Sequence, residues 1–222
     1  MAEGITPQQF HDAQGTSDWR VLGEGACAFF RITSIAAGAR LVRAIGELKG
    51  IDEHQPQVDV RHDGVIVRLL TRSDEWFGIS TRDIELARQI SAAARGLGLT
   101  ADPSATQTFL VIPGARNIAD VMPFWQAILG YDRRPDSPEE DLVDPRRMGP
   151  SFWFETMNEP RADGGGAIHV AIWVPYEQAE ARVAAALAAG GRLVRDDFAP
   201  SWWTLADAAG NEADIATTMG RS

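Results

Sequence analysis

The second half of this chain is written twice. Residues 108–112 form an apolar run followed by Pro113. Residues 117–129 then carry Ile118, Val121, Phe124, Trp125 and Leu129 at helical spacing, and Gly130 ends the run. Strand-like runs follow, closing with Ser151-Phe152-Trp153-Phe154-Glu155. The order restarts with a strand over 168–174, again followed by Pro175, and a helix over 176–189 closed by Gly190-Gly191. Strands are predicted at 192–194, 202–205 and 212–216. This is a βαβββ unit repeated, which points to a duplication and to one sheet with pseudo-twofold symmetry.

The first half reads differently. A short helix over 6–12 begins at a threonine cap. Strands over 19–22 and 27–32 flank Gly23-Glu24-Gly25, and a helix over 34–48 has apolar residues at Ile35, Ala36, Ala39, Leu41, Val42, Ile45 and Leu48. Strands over 58–60 and 65–70 are separated by His62-Asp63-Gly64, a hairpin signal. A last helix over 80–97 opens on Ser80 with Asp83 three residues later, a variant capping box. The order is αββαββα. Asp102-Pro103-Ser104 is polar and breaks helices, which places a linker at 101–105 between domains at 1–100 and 106–222. The fold class is α+β throughout.

Charge excludes some partners. The 222 residues carry a formal net charge of −10, with 11 basic and 14 acidic residues before Ser104 and 10 and 17 from it onward. Neither half is basic, so neither nucleic acid nor an anionic membrane surface is an expected partner. No apolar run is long enough to span a bilayer, and the N-terminus lacks the pattern of a secretory signal. The single cysteine, Cys27, sits in an apolar run and reads as a buried hydrophobe; a reducing, cytoplasmic setting is expected.

Residues 5–98 resemble pterin-4a-carbinolamine dehydratase. The resemblance rests on Trp19, Phe30-Arg31-Ile32, His54-Gln55-Pro56, the alternating Val58/Val60 and Val65/Val67/Leu69, Thr71-Arg72 and Gly78-Ile79-Ser80-Thr81-Arg82-Asp83. It implies a site that dehydrates a 4a-hydroxytetrahydropterin. Expelling hydroxide needs a proton donor, and removing an N–H proton needs an acceptor, for which imidazole is suited. The family supplies a His-His-Pro and a later Thr-His. Here His54 matches the first histidine, Gln55 stands at the second, Arg72 at the third, and Asp83 at the family's acidic position. Gln55 exchanges no proton, and Arg72 stays charged. The resemblance therefore implies His54 as acid and base, Gln55 and Arg72 as groups that orient the ring, and Asp83 as support.

Residues 106–219 resemble the vicinal-oxygen-chelate family, in particular its glyoxalase-like and bleomycin-resistance members. The matching features are Phe124-Trp125, Leu129-Gly130-Tyr131, Ile168-His169-Val170, Ala188-Ala189-Gly190-Gly191 and Asp207-Ala208-Ala209-Gly210-Asn211-Glu212. The resemblance implies a divalent metal bound by two residues from each repeat. His169 lies six residues before Pro175 and Gln107 six before Pro113, so the repeat places them in equivalent positions. Asp214 lies four residues after Gly210, and Glu155 ends the corresponding strand of the first repeat. The implied ligand set is Gln107, Glu155, His169 and Asp214, with Glu212 in reserve on Asp214's face. Trp153 alternates with Glu155, and Trp202 and Trp203 must point to opposite faces, so some of these rings are expected to line a ligand site.

Two functions follow as expectations. One is a lyase acting on a small cytoplasmic molecule, by pterin dehydration or by metal-dependent glyoxalase-like chemistry. The other is a binding protein that sequesters a small planar ligand, with the first domain as an oligomerising platform. A homo-oligomer is expected in either case.

Overall fold

A computed structural model describes residues 3–23, 25–54, 56–72, 76–157, 168–206 and 212–220. The chain divides into two compact units, one made of 77–106 with most of the chain before it, the other covering 107–221.

The first unit contains β1 (Gly4–Ile5), α1 (Pro7–Asp12), β2 (Arg20–Leu22), β3 (Gly25–Arg31), α2 (Ile35–Gly46), α3 (Ile51–His54), β4 (Gln57–Val60), β5 (Gly64–Leu69), β6 (Thr71–Arg72), β7 (Phe77–Ser80), α4 (Thr81–Gly96) and β8 (Thr100–Ala101). The main sheet runs β2-β3-β5-β4, with β8 also on β3, and β1-β7-β6 form a small second sheet. Both caps read in the sequence are present. Thr6 and Gln9 form a reciprocal capping box on α1, and the Ser80 N–H donates to the Asp83 carboxylate at 2.7 Å.

The alternation of β3 and β5 sends Ala26, Ala28 and Phe30, with Val65, Val67 and Leu69, into one core against α2 and α4. Trp19 is fully buried there, and its indole N–H donates to Ser91 Oγ at 3.0 Å. Losing such a ring costs about 3–5 kcal/mol. The Asp63-Gly64 hairpin forms, with the Arg61 N–H donating to the Gly64 carbonyl. Glycine is required there because a Cβ on Gly64 would lie 2.0 Å from the Phe29 ring. The expected linker is attached to this unit. β8 pairs with β3, the Asp102 N–H donates to the Phe29 carbonyl, and Arg31 pairs with Asp102 at 2.5 Å.

The second unit contains β9 (Thr108–Ala115), α5 (Ile118–Leu129), β10 (Asp132–Arg133), β11 (Asp141–Val143), β12 (Ser151–Trp153), β13 (Glu155–Thr156), β14 (Ile168–Trp173), α6 (Tyr176–Ala188), β15 (Arg192–Arg195), β16 (Trp202–Ala206) and β17 (Glu212–Ala216). One sheet runs β10-β11-β12-β9-β14-β17-β16-β15, with β13 also on β9. Each half has the same plan: its first strand pairs parallel with its last main strand, and two antiparallel strands continue outward. The antiparallel β9–β14 ladder joins the halves. The predicted pseudo-twofold βαβββ pair is therefore the fold.

That ladder also decides which side chains share a face. His169 pairs with Ile112, Val170 with Val111 and Ile172 with Phe109. Val111, Leu142, Phe152 and Phe154 pack under α5, while Ile172, Leu205 and Ile215 pack under α6. His169 and Ile112 consequently lie on the face opposite the helices. Among the described residues, no helix is long and apolar enough to cross a membrane.

Candidate functional site

In the first unit, α3 ends at His54 and α4 begins beside it. His54 Nε2 lies 2.6 Å from Asp83 Oδ1, with both side chains buried. A carboxylate only accepts hydrogen bonds, so Nε2 carries the proton and donates. Asp83 Oδ2 accepts from Thr71 Oγ1 at 2.8 Å, from the Ser80 N–H at 2.7 Å and from Ser80 Oγ at 2.9 Å. Burial, the largest single influence, pushes the Asp83 carboxyl upward. The hydrogen bonds from His54 and Thr71, the His54 charge and the Ser80 N–H outweigh it together and hold the carboxyl below its usual range. Asp83 is thus both the helix cap and the anchor of the histidine.

His54 Nδ1 has no hydrogen-bond partner among the described residues, and none of their buried polar side-chain atoms lacks one. Nδ1 is therefore the ring nitrogen left to meet solvent or a ligand.

Of the other two positions implied for this site, Arg72 does not join the pair. Arg72 follows Thr71 in β6, so it points away from the side on which Thr71 meets Asp83, and it is exposed. Gln55 lies outside the described residues. Thr71 and Ser80 complete the hydrogen-bonded group. The Thr71 role is a signal that sequence reading passes over, because it depends on β6 running alongside the start of α4.

In the second unit, β14 and β17 are parallel neighbours, and Asp214 sits opposite Ala171. This brings His169 Nε2 to 3.4 Å from Asp214 Oδ2. Asp214 Oδ1 accepts from Thr204 Oγ1 at 2.7 Å, from the directly opposite residue on β16. The hydrogen bond to Asp214 raises the His169 pKa above its ordinary value. Burial opposes this, and the charges of Asp214, Glu155 and Glu212 add to it. Glu155, His169, Asp214 and Glu212 accordingly act on a common region of the helix-free face. Trp153 alternates onto that face opposite Asp141, and its indole N–H donates to Glu140. Trp202 also lies there, opposite Ala216, stacked on Phe198 with centroids 4.2 Å apart.

Two expectations are corrected. Gln107, just before β9, shares the parity of Phe109 and Val111, so it belongs to the helix side, where its Oε1 accepts from Arg182 of α6 at 3.1 Å. The proline alignment misled because β9 continues through Pro113 to Ala115, whereas β14 stops at Trp173, before Pro175. Trp203 points into the core under α6 with Val174 and Ile215. The implied metal set fails a direct test on these grounds. Gln107 is on the wrong face, and the described residues contain no group of three histidine, cysteine, aspartate or glutamate side chains able to hold an ion.

The family comparisons match these two units. Residues 3–93 match the model of the pterin 4 alpha carbinolamine dehydratase family. Residues 110–216 match that of the glyoxalase-like domain. A glyoxalase/bleomycin resistance protein/dioxygenase superfamily member from Vibrio splendidus 12B01 is similar in structure over 50% of this chain and 99% of its own, at 16% identity and a TM-score of 0.33. Curated proteins contain no match to the chain. This protein therefore joins a domain resembling the pterin carbinolamine dehydratases to one resembling the glyoxalase-like vicinal-oxygen-chelate proteins.

Proposed function

We propose that the first unit is a dehydratase for a 4a-hydroxytetrahydropterin-like carbinolamine, and that His54 alone carries both protons of the reaction. The observation that supports this most directly is the buried 2.6 Å bond from His54 Nε2 to an Asp83 carboxylate that three further donors hold in place. With Nε2 committed to Asp83, Nδ1 faces the substrate. Protonated Nδ1 gives its proton to the C4a hydroxyl as the C–O bond breaks, and water leaves. The neutral Nδ1 then takes the proton lost from a ring N–H as the C=N bond forms, which restores the starting imidazolium. Asp83 keeps the ring oriented and stabilises its charge in each cycle. Arg72 and Gln55 have no assigned step.

The test is direct. The intact protein is given 4a-hydroxytetrahydropterin, and its rate is compared with that of His54→Ala. Loss of a positioned acid–base group lowers the rate about 100-fold or more. Equal rates would end the assignment.

For the second unit, the binding reading is favoured over metal-dependent chemistry. The reason is the position of Gln107 on the helix side. We read the helix-free face around His169, Trp153 and Trp202 as a small-molecule site. Metal analysis of the purified protein and of His169→Ala tests this. Stoichiometric divalent metal that disappears with His169 would restore the catalytic reading.

A further inference from the structure

α3 is a helix of only four residues, too short to hold its own shape in water. Its far end carries His54, so something outside it must set where the imidazole points. Ile51 anchors the near end in the core, and Asp83 holds the far end through His54. The residue beside Asp83 does the rest. Arg82 Nη2 donates to the Gly50 carbonyl at 2.9 Å and to Glu53 Oε2 at 3.0 Å. Gly50 has φ +78°, a conformation suited to glycine, and a Cβ added there would lie 3.2 Å from Arg82 Nη2.

Arg82 and Asp83 are successive residues in the first turn of α4. They diverge by about 100° around its axis. One reaches the residue just before α3, the other the last residue of α3. A single turn of the 16-residue α4 thus grips a one-turn helix at both ends.

We propose that Arg82 is a positioning residue for His54, acting through the Gly50 carbonyl. This rests on the reading of His54 as the proton carrier, and its test separates the two. The Glu53 carboxylate is largely exposed (75%), so its ion pair with Arg82 is screened and contributes little. The Gly50 contact carries the effect.

The experiment compares intact wild type with Arg82→Ala, Arg82→Lys and Glu53→Gln. Two quantities are followed: dehydration kinetics with 4a-hydroxytetrahydropterin, and the low-field NMR resonance of the His54 Nε2 proton. Arg82→Ala is expected to lower kcat about tenfold with KM nearly unchanged, since small misplacement of a catalytic group is costly, and to broaden or shift the His54 resonance. Arg82→Lys, which can still donate to Gly50, restores most of both. Glu53→Gln stays within about twofold. Wild-type kcat and an unmoved resonance in folded Arg82→Ala would overturn the proposal, as would a Glu53→Gln effect equal to that of Arg82→Ala. If the wild type does not dehydrate the pterin, the dehydratase reading falls, and the His54 resonance alone decides whether Arg82 sets the ring.

Discussion

Each unit contains a histidine beside an aspartate, and the two pairs are built to different tolerances. His54 and Asp83 are 2.6 Å apart with side chains 4% and 0% exposed. His169 and Asp214 are 3.4 Å apart with side chains 21% and 12% exposed. Asp83 accepts from Thr71 and twice from Ser80 in addition to His54. Asp214 accepts from Thr204 on a neighbouring strand. The first pair is locked at a helix start, where backbone and side-chain donors converge on one carboxylate. The second lies across a sheet face, in the field of Glu155 and Glu212. A locked imidazole suits a proton transfer that needs one geometry. A looser, acid-flanked one suits contact with a ligand whose shape varies.

Removing the anchors should break this comparison most sharply. Asp83→Ala leaves the donors of His54, Thr71 and Ser80 without their acceptor in a buried site, at a cost of about 3–5 kcal/mol. Asp214→Ala is expected to cost about 1–2 kcal/mol, because its partners are fewer and nearer to water. Residue-resolved hydrogen exchange on the intact chain measures both. Equal losses would mean that the two pairs do not differ as described.

The pH dependence of the two histidine–aspartate pairs should run in opposite directions. Asp83 is held below its ordinary range, so its stabilisation is present above the unfolded carboxyl value near pH 4 and fades as pH falls through the lower folded value. His169 is raised, so its contribution is complete below about pH 6.5 and fades as pH rises through the higher folded value. The second effect is small, under about 1 kcal/mol, because the pair is partly hydrated. Exchange protection followed from pH 3 to 9 should fall around His54 and Asp83 at the acid end and around His169 and Asp214 at the alkaline end. The same sign in both would remove the contrast.

Smaller effects sharpen the picture. Thr204→Val removes one hydrogen bond to Asp214, about 1 kcal/mol, and should bring His169 closer to its ordinary titration, seen by NMR. Adding a divalent cation should change the thermal midpoint by less than about 1 °C, since a ligand stabilises a fold only as far as it binds it. A large upward shift abolished by His169→Ala would point back to a metal.

Much of this was legible beforehand, and the failures are specific. The capping pattern at Ser80 and Asp83 located the start of α4, but the same carboxylate's bond to His54, 29 residues earlier, is a long-range contact that no local pattern encodes. Aligning the repeats on their prolines paired Gln107 with His169. Proline ends one first strand and lies inside the other, and a change of one residue in register moves a side chain to the opposite face of a sheet.

What the sequence determined alone is what depends on neighbours along the chain. Helical and alternating periodicities, caps, the hairpin at Asp63-Gly64 and the doubled βαβββ order all arise from contacts a few residues apart, and all are present in the fold. Only the tertiary structure decided which polar groups meet. The grip of α4 on both ends of α3, the Thr204 bond to Asp214 and the turning of Trp203 rather than Trp202 into the core depend on how distant strands and helices dock. Docking is set by the summed packing of two cores, which no single segment carries.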